Sequence, residues 1–289
     1  MTDLKSEITE FARSESASLV GVASVDRFLG APEGHGPLDF VEEAKSVIVL
    51  GIKVPDTIVE YSKYVLQFRG KPWWASAPVP PINWITSLKD NVYMLLGHYT
   101  IDLMLDRLAV RIALKLEDAG YRSMPIPCGS WTGLDKPVAP LTNWFAPFSH
   151  RHAAVRAGLG EFGFNNIVLS PQFGPRFRPV SIITEAPLEP DPLISEKVCL
   201  REKCSARGPR CLQACHAGAI RLQDGIDHTA IFIDTPSQTD ARICHIMPPG
   251  ENYEHWGGYH ACIYYGQCMA VCPVGAKRGR QRVTGQNCS

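Results

Sequence analysis

The chain has 289 residues, of which 45% are hydrophobic and 20% charged, a globular composition that excludes a disordered protein and allows about two domains. Its 29 basic and 29 acidic side chains cancel, which argues against nucleic-acid binding through a basic surface. No apolar run approaches the roughly 18 residues of a membrane span, and the opening MTDLKSEITEFARSES has neither the apolar core nor the twin arginine of a leader, so the expected location is the cytoplasm.

Residues 3–15 form the first predicted helix, with Leu4, Ile8 and Phe11 on one face. Leu19–Ala23 and Val47–Val54 read as buried strands. Lys71–Trp84 (KPWWASAPVPPINW) is a stiff aromatic loop, either docked on the core or walling a pocket for a flat ligand. Asn91–Ala119 is a long helical pattern in which Leu95, Leu103, Leu108, Ile112 and Leu116 are the apolar positions. Met94 and Met104 read as core filling, Gly120 as the stop and Cys128 as a small buried residue. Ser149–Ala157 reads as a short helix with a serine cap. Gly158-Leu159-Gly160-Glu161-Phe162-Gly163 then matches G-x-G-x-x-G, but with a helix before it and the strand IVLS after it. The dinucleotide fingerprint needs the opposite order. These glycines instead indicate a helix-to-strand turn where the backbone closely approaches something. Val180–Thr184 is the last strand, and the mixture indicates an α/β or α+β sandwich.

None of the ten cysteines precedes residue 128, and eight lie between 199 and 272. The cytosol keeps disulfides rare, so this density points to metal or redox chemistry. The proline-rich stretch Ala186–Lys197 marks the boundary. Cys199, Cys204, Cys211 and Cys215 have gaps of x4, x6 and x3, and Cys244, Cys262, Cys268 and Cys272 gaps of x17, x5 and x3, closed by Pro273. Thiolates alone, with a closing C-x3-C, suit two [4Fe–4S] clusters, and zinc would show C-x2-C hooks. In two-cluster ferredoxins the fourth cysteine of one run binds the other cluster. Cluster A then takes Cys199, Cys204, Cys211 and Cys272, and cluster B takes Cys215, Cys244, Cys262 and Cys268. QACHAGAI (Gln213–Ile220) and AVCPVGAK (Ala270–Lys277) share x-x-Cys-x-x-Gly-Ala, an internal pseudo-two-fold. His216 stands where the usual proline would be and is a lesser candidate ligand. Cys288 reads as a free thiol, and KRGRQR (Lys277–Arg282) as a solvated basic end.

Ser149–Asp191 resembles the cobalamin-dependent iron–sulfur reductases, namely the epoxyqueuosine reductases and reductive dehalogenases. AGLGEFG, FGPRFR, IITEAPLEPD and the cysteine-rich tail arrive in that family's order. The resemblance implies an α+β protein with a nitroreductase-like α/β sandwich over 1–190, cradling a base-off corrinoid. A ferredoxin-like domain of two [4Fe–4S] clusters follows over 191–289. The chain looks like a short member, without the family's C-terminal helical repeats or the respiratory dehalogenases' export signal. D-x-H-x-x-G is absent, which fits a base-off corrinoid or none, and a flavin is the alternative flat cofactor.

By the same resemblance, Gly158, Leu159, Gly160, Gly163, Gly174 and Arg176 are expected to contact the cofactor, with Arg176 and Arg178 open to a salt-bridge role. Aligning Ala146-Pro147 puts Trp144 where epoxyqueuosine reductases carry their acid, which argues against a tRNA substrate. Expected catalytic groups are then His150, or the neighbouring His152, together with Tyr99 and Arg178. The implied activity is an oxidoreductase acting on a small organic molecule, fed by reduced ferredoxin or flavodoxin, with nucleic acid not expected as a partner. The alternatives are an electron-transfer or cobalamin-handling protein and a tRNA epoxyqueuosine reductase.

Overall fold

The computed structural model describes residues 3–65, 93–128, 147–215, 218–227, 230, 236–240 and 266–275. The KPWW loop, Trp144, His216, Cys244, Cys262 and Cys288 lie outside the described residues.

The centre is an antiparallel sheet of β1 (Leu19–Ser24), β2 (Ser46–Lys53), β6 (Phe177–Thr184) and β3 (Ser123–Ile126), in the spatial order β1-β2-β6-β3. β2 pairs Leu19↔Gly51 on one side and Lys53↔Phe177 on the other. Its sequence SVIVLGIK is apolar on both faces because helices cover both. Ile48, Leu50 and Ile52 join one core with Val180 and Ile182, while Val47 and Val49 join the other with Phe177 and Ile183. Each of these buried aliphatics contributes roughly 1.5–3 kcal/mol.

The first face is covered by α1 (Leu4–Ser14) and α3 (Ile101–Asp118), and α2 (Asp56–Val65) follows β2 in the chain. α4 (His150–Arg156) covers the second face. Ser149 caps α4, its hydroxyl accepting from the His152 N–H at 3.4 Å. The two-stranded β4 (Glu161–Phe162) and β5 (Val168–Leu169) come next in the chain.

The long helix departs from expectation at its start. Tyr93–Thr100 is π-helical and runs directly into α3. The buried stripe of α3 is Ile101, Leu105, Leu108, Ile112 and Leu116. Leu103 is 63% exposed and Met104 41% exposed, so neither fills the core. Leu103 lies five residues before Leu108, about 140° round the helix from it at 3.6 residues per turn.

The cysteine-rich part forms α5 (Arg201–Ser205), α6 (Arg210–Gln213), α7 (Gln267–Ala270) and the hairpin β7 (Ile220–Leu222) with β8 (Ser237–Thr239). Its internal repeat is structural. α6 and α7 are each four residues long, and each ends two residues before a cysteine, Cys215 and Cys272. Three residues beyond each cysteine a glycine takes a left-handed conformation, Gly218 at φ 61° and Gly275 at φ 69°. No helix among the described residues is long and apolar enough to cross a membrane.

Candidate functional site

Cys199 precedes α5, Cys204 lies within it, Cys211 lies in α6 and Cys272 follows α7. These four line one solvent-open recess, walled also by Phe164, Leu169 and Arg210. They are the four that the ferredoxin rule of exchanged fourth cysteines groups as cluster A, including the member drawn from the second run. All are free thiols. Among the described residues, no three His, Cys, Asp or Glu side chains converge to hold a single metal ion. Four thiols on one recess are a donor set of the kind that iron–sulfur clusters use. Of the second set only Cys215 and Cys268 are described. The Cys215 sulfur accepts the Ala219 N–H at 3.3 Å, and Cys268 packs against the α3-side core.

A buried ion pair holds the entrance to the first run. Glu161 is 2% exposed and Arg201 is 1% exposed. Glu161 Oε1 accepts the backbone N–H of Val198 at 2.6 Å and that of Cys199. Its Oε2 accepts from Arg201 at 2.7 Å, and Arg201 donates on to the Phe162 and Ala230 carbonyls at 2.9 and 2.6 Å. Neither residue was foreseen. Glu161 was hidden inside a glycine motif, although an acid between two glycines on a buried turn is itself a signal. Burial pushes the Cys199 thiol up to about 11 and Cys211 up to about 12, and raises Cys272 as well. Without a metal these three thiols are therefore protonated at neutral pH, and a metal must displace their protons to bind.

The glycine blocks pack closely against the chain itself. A Cβ on Gly158 (φ 73°) would overlap the Pro192 carbonyl oxygen, one on Gly160 the Leu169 carbonyl and one on Gly163 the Leu169 side chain. Leu159 is buried in the core under α4. Gly174 (φ 56°) abuts the Val274 carbonyl, just after the thiol of Cys272. Gly174→Ala should cost roughly 2–5 kcal/mol, as left-handed strain and overpacking add. Gly120→Ala is the control, since Gly120 (φ 90°) has nothing within 4 Å, and should cost only about 1 kcal/mol. Equal urea midpoints for the two variants would remove the close-packing explanation.

The expected catalytic residues lie around the first half of β6, in a nest of buried charge that begins two residues after Arg176. Along β6 side chains alternate, so Arg178 faces α3 and Ser181 faces α4. Arg178 binds both carboxylate oxygens of Asp102, one at 2.8 Å. Asp102 is 4% exposed. His98 Nδ1 lies 3.0 Å from its Oδ2, and the Cys128 thiol donates to its Oδ1 at 3.1 Å. The Cys128 N–H donates to Asp106 at 2.7 Å. His150 Nε2 donates to the Pro127 carbonyl at 2.8 Å, so its Nδ1 accepts from the Ser181 hydroxyl at 2.9 Å. Both ring nitrogens are thus engaged in the neutral tautomer. The Tyr99 ring lies beside His98, centroids 5.5 Å apart and the planes tilted by 57°. Arg178 serves the salt bridge here. Asp102 and His98 were missed, though a histidine one turn before an acid on the stripe 98, 102, 105, 109 marks a buried pair. π-Helical turns of the kind carrying His98 are frequent at functional sites.

The charge states follow from this packing. Burial opposes the Asp102 charge, but the His98 contact and the Arg178 guanidinium outweigh it and hold the carboxyl at about 2, below its ordinary 3.8. Burial lowers His98 and His150 below 6.5. All three then make the protein less stable in acid. Below about pH 6.5 the unfolded chain takes up histidine protons that the fold resists. Below about pH 4, falling toward 2, the Asp102 contribution of about 2 kcal/mol is lost as well. Urea midpoints measured between pH 8 and 3 should show stability falling in both windows. Asp102→Asn should flatten the lower one.

No protein-family model matches the chain. Its fold is that of the epoxyqueuosine reductases and the reductive dehalogenases. An epoxyqueuosine reductase solved with a tRNA-Tyr epoxyqueuosine-modified stem loop superimposes with a TM-score of 0.53 at 20% identity, over 96% of this chain and 67% of that one. A catabolic reductive dehalogenase in complex with 3-bromo-4-hydroxybenzoic acid gives 0.50 at 18%, over 82% of this chain and 28% of that one. The same values hold for a reductive dehalogenase structure interpreted as a mechanism for B12-dependent dehalogenation. In sequence, the chain is related to the tetrachloroethene reductive dehalogenase of Dehalobacter restrictus, 37% identical over 112 residues. That match is 39% of this chain and only 17% of the relative's length. The family resemblance carried by AGLGEFG, FGPRFR and the cysteine-rich tail is borne out. The expectation that nucleic acid is not a partner finds no support, since the fold is shared with a tRNA-bound enzyme.

Proposed function

We propose that the chain is an oxidoreductase in which two [4Fe–4S] clusters feed electrons to a corrinoid that reduces a small organic molecule. The observation that carries the cluster half is the recess where Cys272 joins Cys199, Cys204 and Cys211 across 73 residues of sequence. When bound, the clusters supply one-electron transfer and the corrinoid the reducing metal at which a substrate bond breaks. The residues of this chain do the rest. Glu161 and Arg201 lock the backbone of Cys199, and the Gly174 contact seats the limb that carries Cys272. The corrinoid half of the reading is carried by likeness to the B12-dependent dehalogenase fold. The sandwich over 1–190, the ferredoxin-like unit over 191–289 and a ferredoxin or flavodoxin donor belong to this reading. So does a cytoplasmic location.

A second reading, reduction of epoxyqueuosine in tRNA, is favoured by one observation. The epoxyqueuosine reductase fold covers 96% of this chain against 82% for the dehalogenase. The substitution of Trp144 for the family acid favours the first.

Anaerobic purification from cobalamin-fed cells, with iron, sulfide, zinc and cobalt counted per chain, tests the proposal. About eight irons and one cobalt are expected. Eight irons without cobalt, even after corrinoid reconstitution, removes the corrinoid, and zinc in place of iron removes the clusters. Turnover of halogenated phenols and alkenes, set against epoxyqueuosine tRNA, separates the two substrate classes.

A further inference from the structure

Arg176 lies directly before β6 and is wholly buried. One edge of its guanidinium donates to the Val274 carbonyl at 2.9 Å, the Cys272 carbonyl at 3.2 Å and the Ala270 carbonyl at 3.5 Å. It thereby holds the backbone on both sides of the fourth thiol. Its other edge faces α2, with Nε 3.6 Å from Asp56 Oδ1 and Nη2 3.7 Å from Glu60 Oε1. These are ion-pair distances, too long for hydrogen bonds. Asp56 also shares its charge with Lys53, at 2.9 Å.

The contrast with Arg201 is informative. Arg201 and Glu161 touch at 2.7 Å, both buried, so their charges cancel locally. Arg176 is a buried cation with looser compensation, one carbonyl away from the recess. Three carbonyls need N–H donors but no charge, and a buried charge is costly unless something nearby repays it. A cluster bound by four thiolates is a group of opposite sign in the right place.

We infer that Arg176 is a positioning residue that fixes the Cys272 limb and raises the reduction potential of the cluster held by Cys199, Cys204, Cys211 and Cys272. This rests on the cluster reading above. The step concerned is one electron passing from an external one-electron donor to the cluster, with no covalent bond made or broken. The cluster becomes more negative by one charge, and a fixed neighbouring cation favours that form.

The test is a dithionite titration followed by electron paramagnetic resonance on the anaerobically purified holoprotein, with iron and sulfide counted for each variant. Arg176→Gln should lower the potential of one cluster by at least a tenfold shift in its reduction equilibrium, 59 mV for a one-electron couple. Arg176→Lys should keep most of the wild-type value. Asp56→Asn/Glu60→Gln, which leaves Arg176 in place, should move the same cluster the opposite way. This carboxylate variant decides the matter if Arg176→Gln fails to fold or loses iron. Full clusters with unmoved potentials in the variants overturn the inference alone. A wild-type protein without iron–sulfur clusters overturns the parent reading, and this one with it.

Discussion

Asp102→Ala is expected to destabilise the metal-free protein by about 3–5 kcal/mol, lowering its melting temperature by roughly 10 °C or more. The carboxylate is at most 6% exposed at its side chain and serves Arg178, His98 and the Cys128 thiol together. Removing it leaves a guanidinium buried without its counter-charge, and that cost far exceeds the net worth of the intact pair. Arg178→Met should also destabilise, leaving the carboxylate to His98. The double variant should cost less than the sum of the two by 0.5–3 kcal/mol, because once one charge has gone the other is better gone too. Calorimetry of the four proteins settles this, and strict additivity would mean that the two residues do not act as a unit. Since Asp102 ties the π-helical turn of His98 to β6, its loss should also raise amide exchange at Tyr93–Thr100.

Cys272→Ser should reduce bound iron from about eight to about four per chain, and Cys199→Ser should do the same. The informative protein is the double variant. If both thiols serve one cluster, Cys199→Ser/Cys272→Ser retains about four irons, no fewer than either single change. If Cys272 belongs with its neighbours in sequence, the double variant falls close to zero. Iron and sulfide counts decide, read beside the far-ultraviolet dichroism to show that the chains remain folded. Serine keeps the side chain's size, so the clasp of the backbone around residue 272 should survive.

What could be read from the residues follows the range of the interactions. β2 was legible because an eight-residue strand covered on both faces must be apolar at every other position and between, as SVIVLGIK is. α4 was legible because Ser149 caps it locally. The grouping of thiols was legible because the two runs of four could be combined with the exchange of fourth cysteines that two-cluster ferredoxins show. The phase of the long helix departs from expectation at Leu103, because the five-residue gap to Leu108 turns it about 140° away from the buried stripe. The charge nest was invisible for a different reason. Asp102 and Arg178 stand 76 residues apart, and each alone looks like a surface charge. The glycines showed that something comes close, but not that it was Pro192, Leu169 and Val274 of the same chain. No local pattern encodes which distant backbone fills a space that only a missing Cβ leaves open.

The meeting of Gly174 with Val274 also bears on how the protein is made. Arg176 and Val274 are 98 positions apart, and contacts between such distant segments form late in folding. A ribosome delivers residue 199 well before residue 272, so three of the four thiols emerge and wait. The nascent chain carries an open, three-thiol site until its last segment docks. Metal delivered early would meet an incomplete site and, with it, a path to loss or oxidation.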